Sequence, residues 1–128
     1  MIIRTLDGIT GTERDVSGPG FRSRRIVLNR DGMAHSLHWT EVPAGTVQNL
    51  WYKQHLEANL VIRGTGEVED VATGEIHPLA PGTLYALDRH DRHILRAHTD
   101  LALVCVFTPA LTGTETHDAD GSYLLVEE

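Results

Sequence analysis

Pro81-Gly82-Thr83-Leu84-Tyr85-Ala86-Leu87 joins a tight turn to a short run of β-branched, aromatic and aliphatic residues. Proline presets the backbone for a turn and glycine accepts left-handed dihedrals, so the pair ends one element and begins the next. The same phrase recurs along the 128-residue chain. Gly18-Pro19-Gly20, Asp31-Gly32, Pro43-Ala44-Gly45, Gly64-Thr65-Gly66, Thr73-Gly74, Asp91, Thr99-Asp100 and Thr112-Gly113 punctuate it. Between them lie runs such as Arg25-Ile26-Val27-Leu28, Leu60-Val61-Ile62 and Leu101-Ala102-Leu103-Val104-Cys105-Val106-Phe107. Turn signals every ~8–12 residues between short apolar runs predict an all-β sandwich or barrel. Ser36-Leu37-His38-Trp39-Thr40 alternates polar with apolar residues, the period of a half-buried strand. No stretch sustains a 3.6-residue period, so helices are expected to be short or absent.

Composition bounds the rest. Apolar residues make up 41% of the chain, enough for a core without crosslinks. A chain of this size buries roughly two-thirds of its unfolded surface as one domain. No repeat or internal linker divides it, so residues 1–128 are expected to form a single domain. Cys105 is the only cysteine, which rules out an internal disulfide and fits a reducing, cytoplasmic setting. No signal-peptide pattern opens the chain, and no apolar run approaches the ~20 residues that a spanning helix needs. A net charge of −7 would repel phosphate backbones, so nucleic acid is not an expected partner. The cluster of Arg22, Arg24 and Arg25 reads as a solvated strand face or as a site for a small anion.

Two spacings resemble the two-part signature of the cupin barrels, whose side chains converge on a metal inside the barrel. In the first part, Gly45, Glu57 and Gly64 stand in register, while Trp51 and Lys53 occupy the places of two histidines. In the second part, counting from Gly74 puts Ala80-Pro81-Gly82 at the turn and Tyr85 where an imidazole is usual. A phenol ligates a metal well as phenolate, and a bound cation lowers its pKa from ~10. His93, eight residues past Tyr85 across a turn, is one candidate for a third ligand, with His55 and His90 as competing imidazoles. A mixed oxygen and nitrogen set with open positions suits Fe(II), with Zn or Mn as alternatives.

Read whole, the chain resembles the ectoine synthases, iron-dependent cupins. The resemblance is carried by Met1-Ile2-Ile3-Arg4-Thr5-Leu6, Leu50-Trp51-Tyr52-Lys53, His55-Leu56-Glu57-Ala58, Gly66-Glu67-Val68-Glu69-Asp70, His90-Asp91-Arg92-His93 and Leu111-Thr112-Gly113-Thr114-Glu115. It implies a hydro-lyase that cyclises N4-acetyl-L-2,4-diaminobutyrate to the compatible solute L-ectoine in osmotic stress, acting as a homodimer. It also implies Glu57, Tyr85 and His93 as metal ligands. Tyr52, His55, Glu115 and His117 match the family's catalytic positions, and Phe21, Arg25, Thr40, Cys105 and Phe107 its substrate-binding ones. Arg25 is expected to pair with the substrate carboxylate in bidentate geometry.

Residues 108–128 form a polar, turn-rich tail. It reads either as a loop closing over the barrel mouth or as a frayed end, and Tyr123-Leu124-Leu125-Val126 suggests a last strand. Bearing Glu115 and His117, the tail is expected to act as a lid. The chain departs from the family at Phe21, where tryptophan is usual, and at Asn59-Leu60-Val61-Ile62, where Val-Tyr-Cys-Ile is common. Arg63 stands where an acidic residue is frequent. If these line the cavity, the alternatives are a related N-acylated diamine or amino acid as substrate, or a cupin that binds a small molecule without chemistry.

Overall fold

Two antiparallel sheets pack face to face in the computed structural model, which describes residues 1–119 and 121–123. The strands are β1 (Asp15–Gly18), β2 (Phe21–Val27), β3 (Ser36–Val42), β4 (Val47–Leu50), β5 (Leu56–Arg63), β6 (Gly66–Asp70), β7 (Ile76–Leu79), β8 (Leu84–Leu87), β9 (His93–Ala97) and β10 (Leu101–Thr108). One sheet runs β1-β2-β3-β10-β5-β8 and the other β4-β9-β6-β7. Among the described residues, helix is confined to α1 (Leu6–Ile9) and one 3-10 turn (Asn29–Asp31), as the missing 3.6-residue period predicts. The suggested last strand lies mostly outside the described residues, since positions 124–126 are not among them.

From β3 onward the chain changes sheet at every turn except the β6–β7 hairpin. Each corner reverses direction within two to five residues, and Gly45, Gly64 and Gly82 hold positive φ at three of them. Gly64 has a second reason to lack a side chain, because a Cβ would run into the carbonyl oxygen of Asp100. Such corners put successive strands on opposite layers. No ladder links the two sheets among the described residues, so β1, β8, β4 and β7 keep free edges. The closed barrel expected from the sequence is therefore an open two-sheet sandwich of the same all-β class.

The core lies between the layers, with Val42, Val61, Leu87, Leu101 and Leu103 facing Leu50, Val68, Leu79, Leu95 and Ala97. β3 reverses the usual rule for an alternating strand. Its polar residues point inward, with Ser36 and His38 buried, while Leu37 and Trp39 lie on the half-covered outer face. Burying such a row costs stability unless its polar atoms find partners.

At the outer edge, Asp31 ties three segments together. Its carboxylate accepts from Arg4 Nη1 and Nη2 (3.0 and 2.8 Å), from Arg14 Nη1 (3.1 Å) and from the Leu28 amide (2.9 Å). Burial alone would raise its pKa, but these donors reverse that and hold it well below the usual carboxylate range. Asp31→Ala is expected to destabilise the fold by about 2–3 kcal/mol at neutral pH in urea unfolding. A carboxylate with a lowered folded-state pKa contributes fully above its unfolded value of ~3.9 and loses its contribution as pH falls through the folded value. The gap between wild type and variant should thus be widest above about pH 5 and narrow on acidification.

Candidate active site

Strand register places one polar row across five strands. Arg25 on β2 pairs with His38 on β3, His38 with Cys105 on β10, Cys105 with Asn59 on β5, and Asn59 with Tyr85 on β8. All except the half-buried Tyr85 are buried. Glu57, two residues before Asn59, points the same way opposite Phe107. Together with Phe21, Thr40, Tyr52, His117 and Tyr123, the row from His38 to Tyr85 lines a cavity of about 30 Å³ between the sheets.

The tail forms the cavity's roof. Gly121 O accepts from the Trp51 amide (3.0 Å) and Ser122 Oγ from the Lys53 amide (2.9 Å), which pins residues 121 and 122 beside the end of β4. Gly121 holds φ +71°, and a Cβ there would strike Asn49 O, so only glycine fits this approach. His117 Nε2 and the Tyr52 hydroxyl are hydrogen-bonded at 2.8 Å. His117 stacks on Tyr123 (centroids 4.6 Å apart, planes at 13°) and meets Phe21 edge-on at 5.1 Å. Burial first, then the Arg25 charge, lowers the His117 pKa to about 4, so its ring is neutral at physiological pH. Burial pushes the Tyr52 phenol well above 10.

Arg25 and Glu115 occupy other ground than the resemblance implied. Arg25 is fully buried outside the cavity lining, and each of its nitrogens already donates: Nη1 to Gly113 O (3.0 Å), Nη2 to Glu115 O (2.7 Å) and Nε to Ser23 Oγ (3.3 Å). The Glu115 carboxylate accepts from the Thr112 and Gly113 amides (both 2.8 Å) and the Thr112 hydroxyl (3.0 Å). Both residues shape and anchor the tail. His55 is buried beside Phe107 and Tyr123, with Nδ1 unpartnered among the described residues, and likewise does not line the cavity. Thr40 lines it and hydrogen-bonds the Cys105 thiol, whose pKa burial raises well above 9. That thiol stays protonated and is no nucleophile.

The three metal-ligand candidates sit at the β8 end of the row. Tyr85 and Glu57 line the cavity, and the His93 ring lies 6.4 Å from the Tyr85 ring, on the side of a cleft between β6, β7 and β8. His93 Nδ1 is 3.0 Å from Asp91 O, so it carries the proton and donates. That leaves Nε2 as a buried lone pair with no partner among the described residues, which is what a metal-binding imidazole presents. Burial lifts the Glu57 carboxyl to about 8 and the Tyr85 phenol well above 10. His90 is exposed, with Nδ1 against Tyr52 O, and so does not compete with His93. Among the described residues no three His, Cys, Asp or Glu side chains converge, so a site here depends on the phenol. The donor set fits a hard or borderline divalent cation.

Sequence reasoning passed over Ser23, His38, Gln48 and Tyr123, which also line the cavity. The alternation of Ser36, His38 and Thr40 marks one face of β3, and register with Cys105 turns that face inward. Asn59, noted as a departure, is 1% exposed in the cavity wall, where its side chain helps to offset the effect of burial on the Glu57 carboxyl.

The sandwich has the cupin fold. It superposes on a cupin-2 domain from Rhodospirillum rubrum (TM-score 0.61, 20% identity, 70% of this chain and 60% of that one), which speaks for the fold alone. The ectoine synthase family model matches residues 1–127. An L-ectoine synthase of Desulfosudis oleivorans is 54% identical over 129 residues, covering all of both chains, and one of Alkalilimnicola ehrlichii is 55% identical over 129 residues, covering 100% of this chain and 98% of its own. The crystal structure of ectoine synthase from P. lautus matches with TM-score 0.89 and 45% identity over all of this chain and 93% of that one. The chain belongs to the ectoine synthase family, and is thereby an enzyme of the hydro-lyase class.

Cation binding by this donor set must expel protons. Glu57 is protonated below about 8 and Tyr85 at all ordinary pH, and both must ionise to ligate. At neutral pH, calorimetric titration of the metal-free protein with Fe(II) in buffers of differing ionisation enthalpy is expected to show release of about two protons per ion. The figure falls toward about one as pH rises past 8, where Glu57 is already ionised.

Proposed function

We propose that this chain closes N4-acetyl-L-2,4-diaminobutyrate into L-ectoine with loss of water, using a metal held by Glu57, Tyr85 and His93. The observation that carries the reading is the Tyr52–His117 hydrogen bond, set over the same cavity that holds Glu57 and Tyr85. When bound, Fe(II), or alternatively Zn or Mn, supplies Lewis acidity that polarises the amide carbonyl, a poor electrophile by itself.

The chain's own residues then have three tasks. Folding the substrate brings its α-amine onto the acetyl carbon, and the walls given by Phe21, Phe107 and Tyr123 enforce that compact shape. Protons must also move. The α-ammonium carries three; one remains on the ring nitrogen, and the other two leave with the carbonyl oxygen as water, so no net proton is exchanged. Neutral His117 and the phenol of Tyr52 form the relay between amine and oxygen. Water exclusion is the third task, because water drives the cyclic amidine back toward the open chain. A cavity of about 30 Å³ has space for roughly one or two water molecules, so the tail lifts to admit substrate and settles over it.

With Fe(II) added anaerobically, the protein is expected to convert N4-acetyl-L-2,4-diaminobutyrate to ectoine. Glu57→Ala should abolish turnover while keeping the β-sheet circular dichroism, and Tyr52→Phe should lower kcat about 100-fold or more. Failure of well-folded wild-type protein with every metal tried would refute the reading. Asn59, a polar side chain in the cavity wall beside Glu57, favours one second reading, a related N-acylated diamine, and a substrate panel in the same assay separates the two.

The enzyme is taken to act in the cytoplasm, consistent with a buried free thiol at Cys105. No described helix is long and apolar enough to cross a membrane. Free edges at β7 and β8, with Ile76 and Leu84 exposed, suit a homodimer. Light scattering after gel filtration should give twice the 14.1 kDa chain mass.

A further inference from the structure

Next to Arg25 in the polar row, His38 is 1% exposed and lines the cavity. Its Nδ1 lies 3.1 Å from Ser23 Oγ, and its Nε2 has no partner among the described residues. The proton's position on the ring follows from Arg25. A guanidinium only donates, so Arg25 Nε gives its hydrogen to Ser23 Oγ at 3.3 Å. Were Nδ1 also protonated, Ser23 would accept twice and its own hydroxyl hydrogen would have no acceptor among the printed contacts of the described residues. With Ser23 donating to Nδ1, every group in the chain is used: Arg25 Nε–H to Ser23, Ser23 O–H to His38 Nδ1. The remaining ring proton then sits on Nε2, a buried donor in the cavity wall. Buried donors almost always have a partner, so one without any is waiting for an acceptor.

Asn59 Nδ2 is another buried donor among the cavity-lining groups, but its side chain faces the Glu57 carboxyl and belongs to that end of the row. His38 stands three strands from Tyr85 along the row. On the reading above, the substrate's amide carbonyl lies at the Tyr85 end, which leaves the α-carboxylate for the opposite end. Arg25 reaches that place by its field and not by contact. Its charge helps to lower the pKa of both His38, after burial, and His117. An anion is favoured there by the same potential that keeps the imidazole neutral.

We propose that His38 Nε2–H holds an oxygen of the substrate carboxylate, and that Ser23, relaying the Arg25 N–H, is the positioning residue that keeps this proton on Nε2. The inference rests on the ectoine-forming reading for the choice of carboxylate, but the tautomer does not.

Two-bond 1H–15N correlation on histidine-labelled protein reads the tautomer directly. His38 is expected as the neutral Nε2–H form from about pH 6 to 8. Ser23→Ala should release a mixture of tautomers and Ser23→Thr should restore one. An Nδ1–H form in the wild type overturns the relay. In kinetics, His38→Leu is expected to raise KM for N4-acetyl-L-2,4-diaminobutyrate roughly 10–100-fold, with a smaller change in kcat. His38→Gln, whose amide N–H reaches the place of Nε2, should bring KM back to within about threefold of wild type. An unchanged KM in folded His38→Leu overturns the contact. Should wild-type protein show no turnover, the cyclisation reading falls separately. The contact is then judged by the His38 Nε2–H shift on adding the same compound, and absence of any change there overturns it. That titration, with the Ser23 variants, also decides the matter if His38→Leu does not fold.

Discussion

A guanidinium with no exposure to water is the constraint around which this interior is arranged. Arg25 is 0% exposed, and a buried charge is tolerable only when its hydrogens and its field are both answered. The hydrogens go to Ser23 and to two tail carbonyls, at Gly113 and Glu115. Its field is answered in part by the Glu115 carboxylate, 3.9 Å away. Satisfying Arg25 therefore requires the tail to be in place, and the tail in place brings His117 to Tyr52. One electrostatic requirement on β2 thereby builds the roof of a cavity between the sheets.

The cavity is polar yet almost uncharged before any ligand enters. Burial holds Glu57 and Tyr85 as neutral acids and His38, His93 and His117 as neutral bases. Such an interior avoids the cost of isolated ions while keeping donors and lone pairs fixed in direction. A cation entering near His93 would invert this balance, turning two neutral acids into anionic ligands.

Much of the fold was legible in the Gly/Pro punctuation, because corners at Gly45, Gly64 and Gly82 need positive φ and announce themselves by residue type. The same corners conceal whether the barrel closes, since closure depends on ladders between strands far apart in sequence. The spacing and resemblance that single out Glu57, Tyr85 and His93 were legible, and Glu57 and Tyr85 line one cavity with the His93 ring 6.4 Å from that of Tyr85. The places of Arg25 and Glu115 were not. Their partners are either backbone carbonyls, which carry no residue signature, or amides of their own loop. His38 was hidden for a different reason. An alternating strand says that its faces differ, but here the core chose the polar one, and only register with Cys105 reveals it.

β10 lies at the centre of the six-stranded sheet, between β3 and β5, yet it is the last strand of that sheet to be synthesised. Until residue 108 is available, β3 and β5 each present an unpaired edge, and the row from Arg25 to Tyr85 is split in two. Such edges are sites for pairing with other chains. The growing chain thus carries association-prone edges from the completion of β3 until β10 is made, and the tail that roofs the cavity can settle only after that.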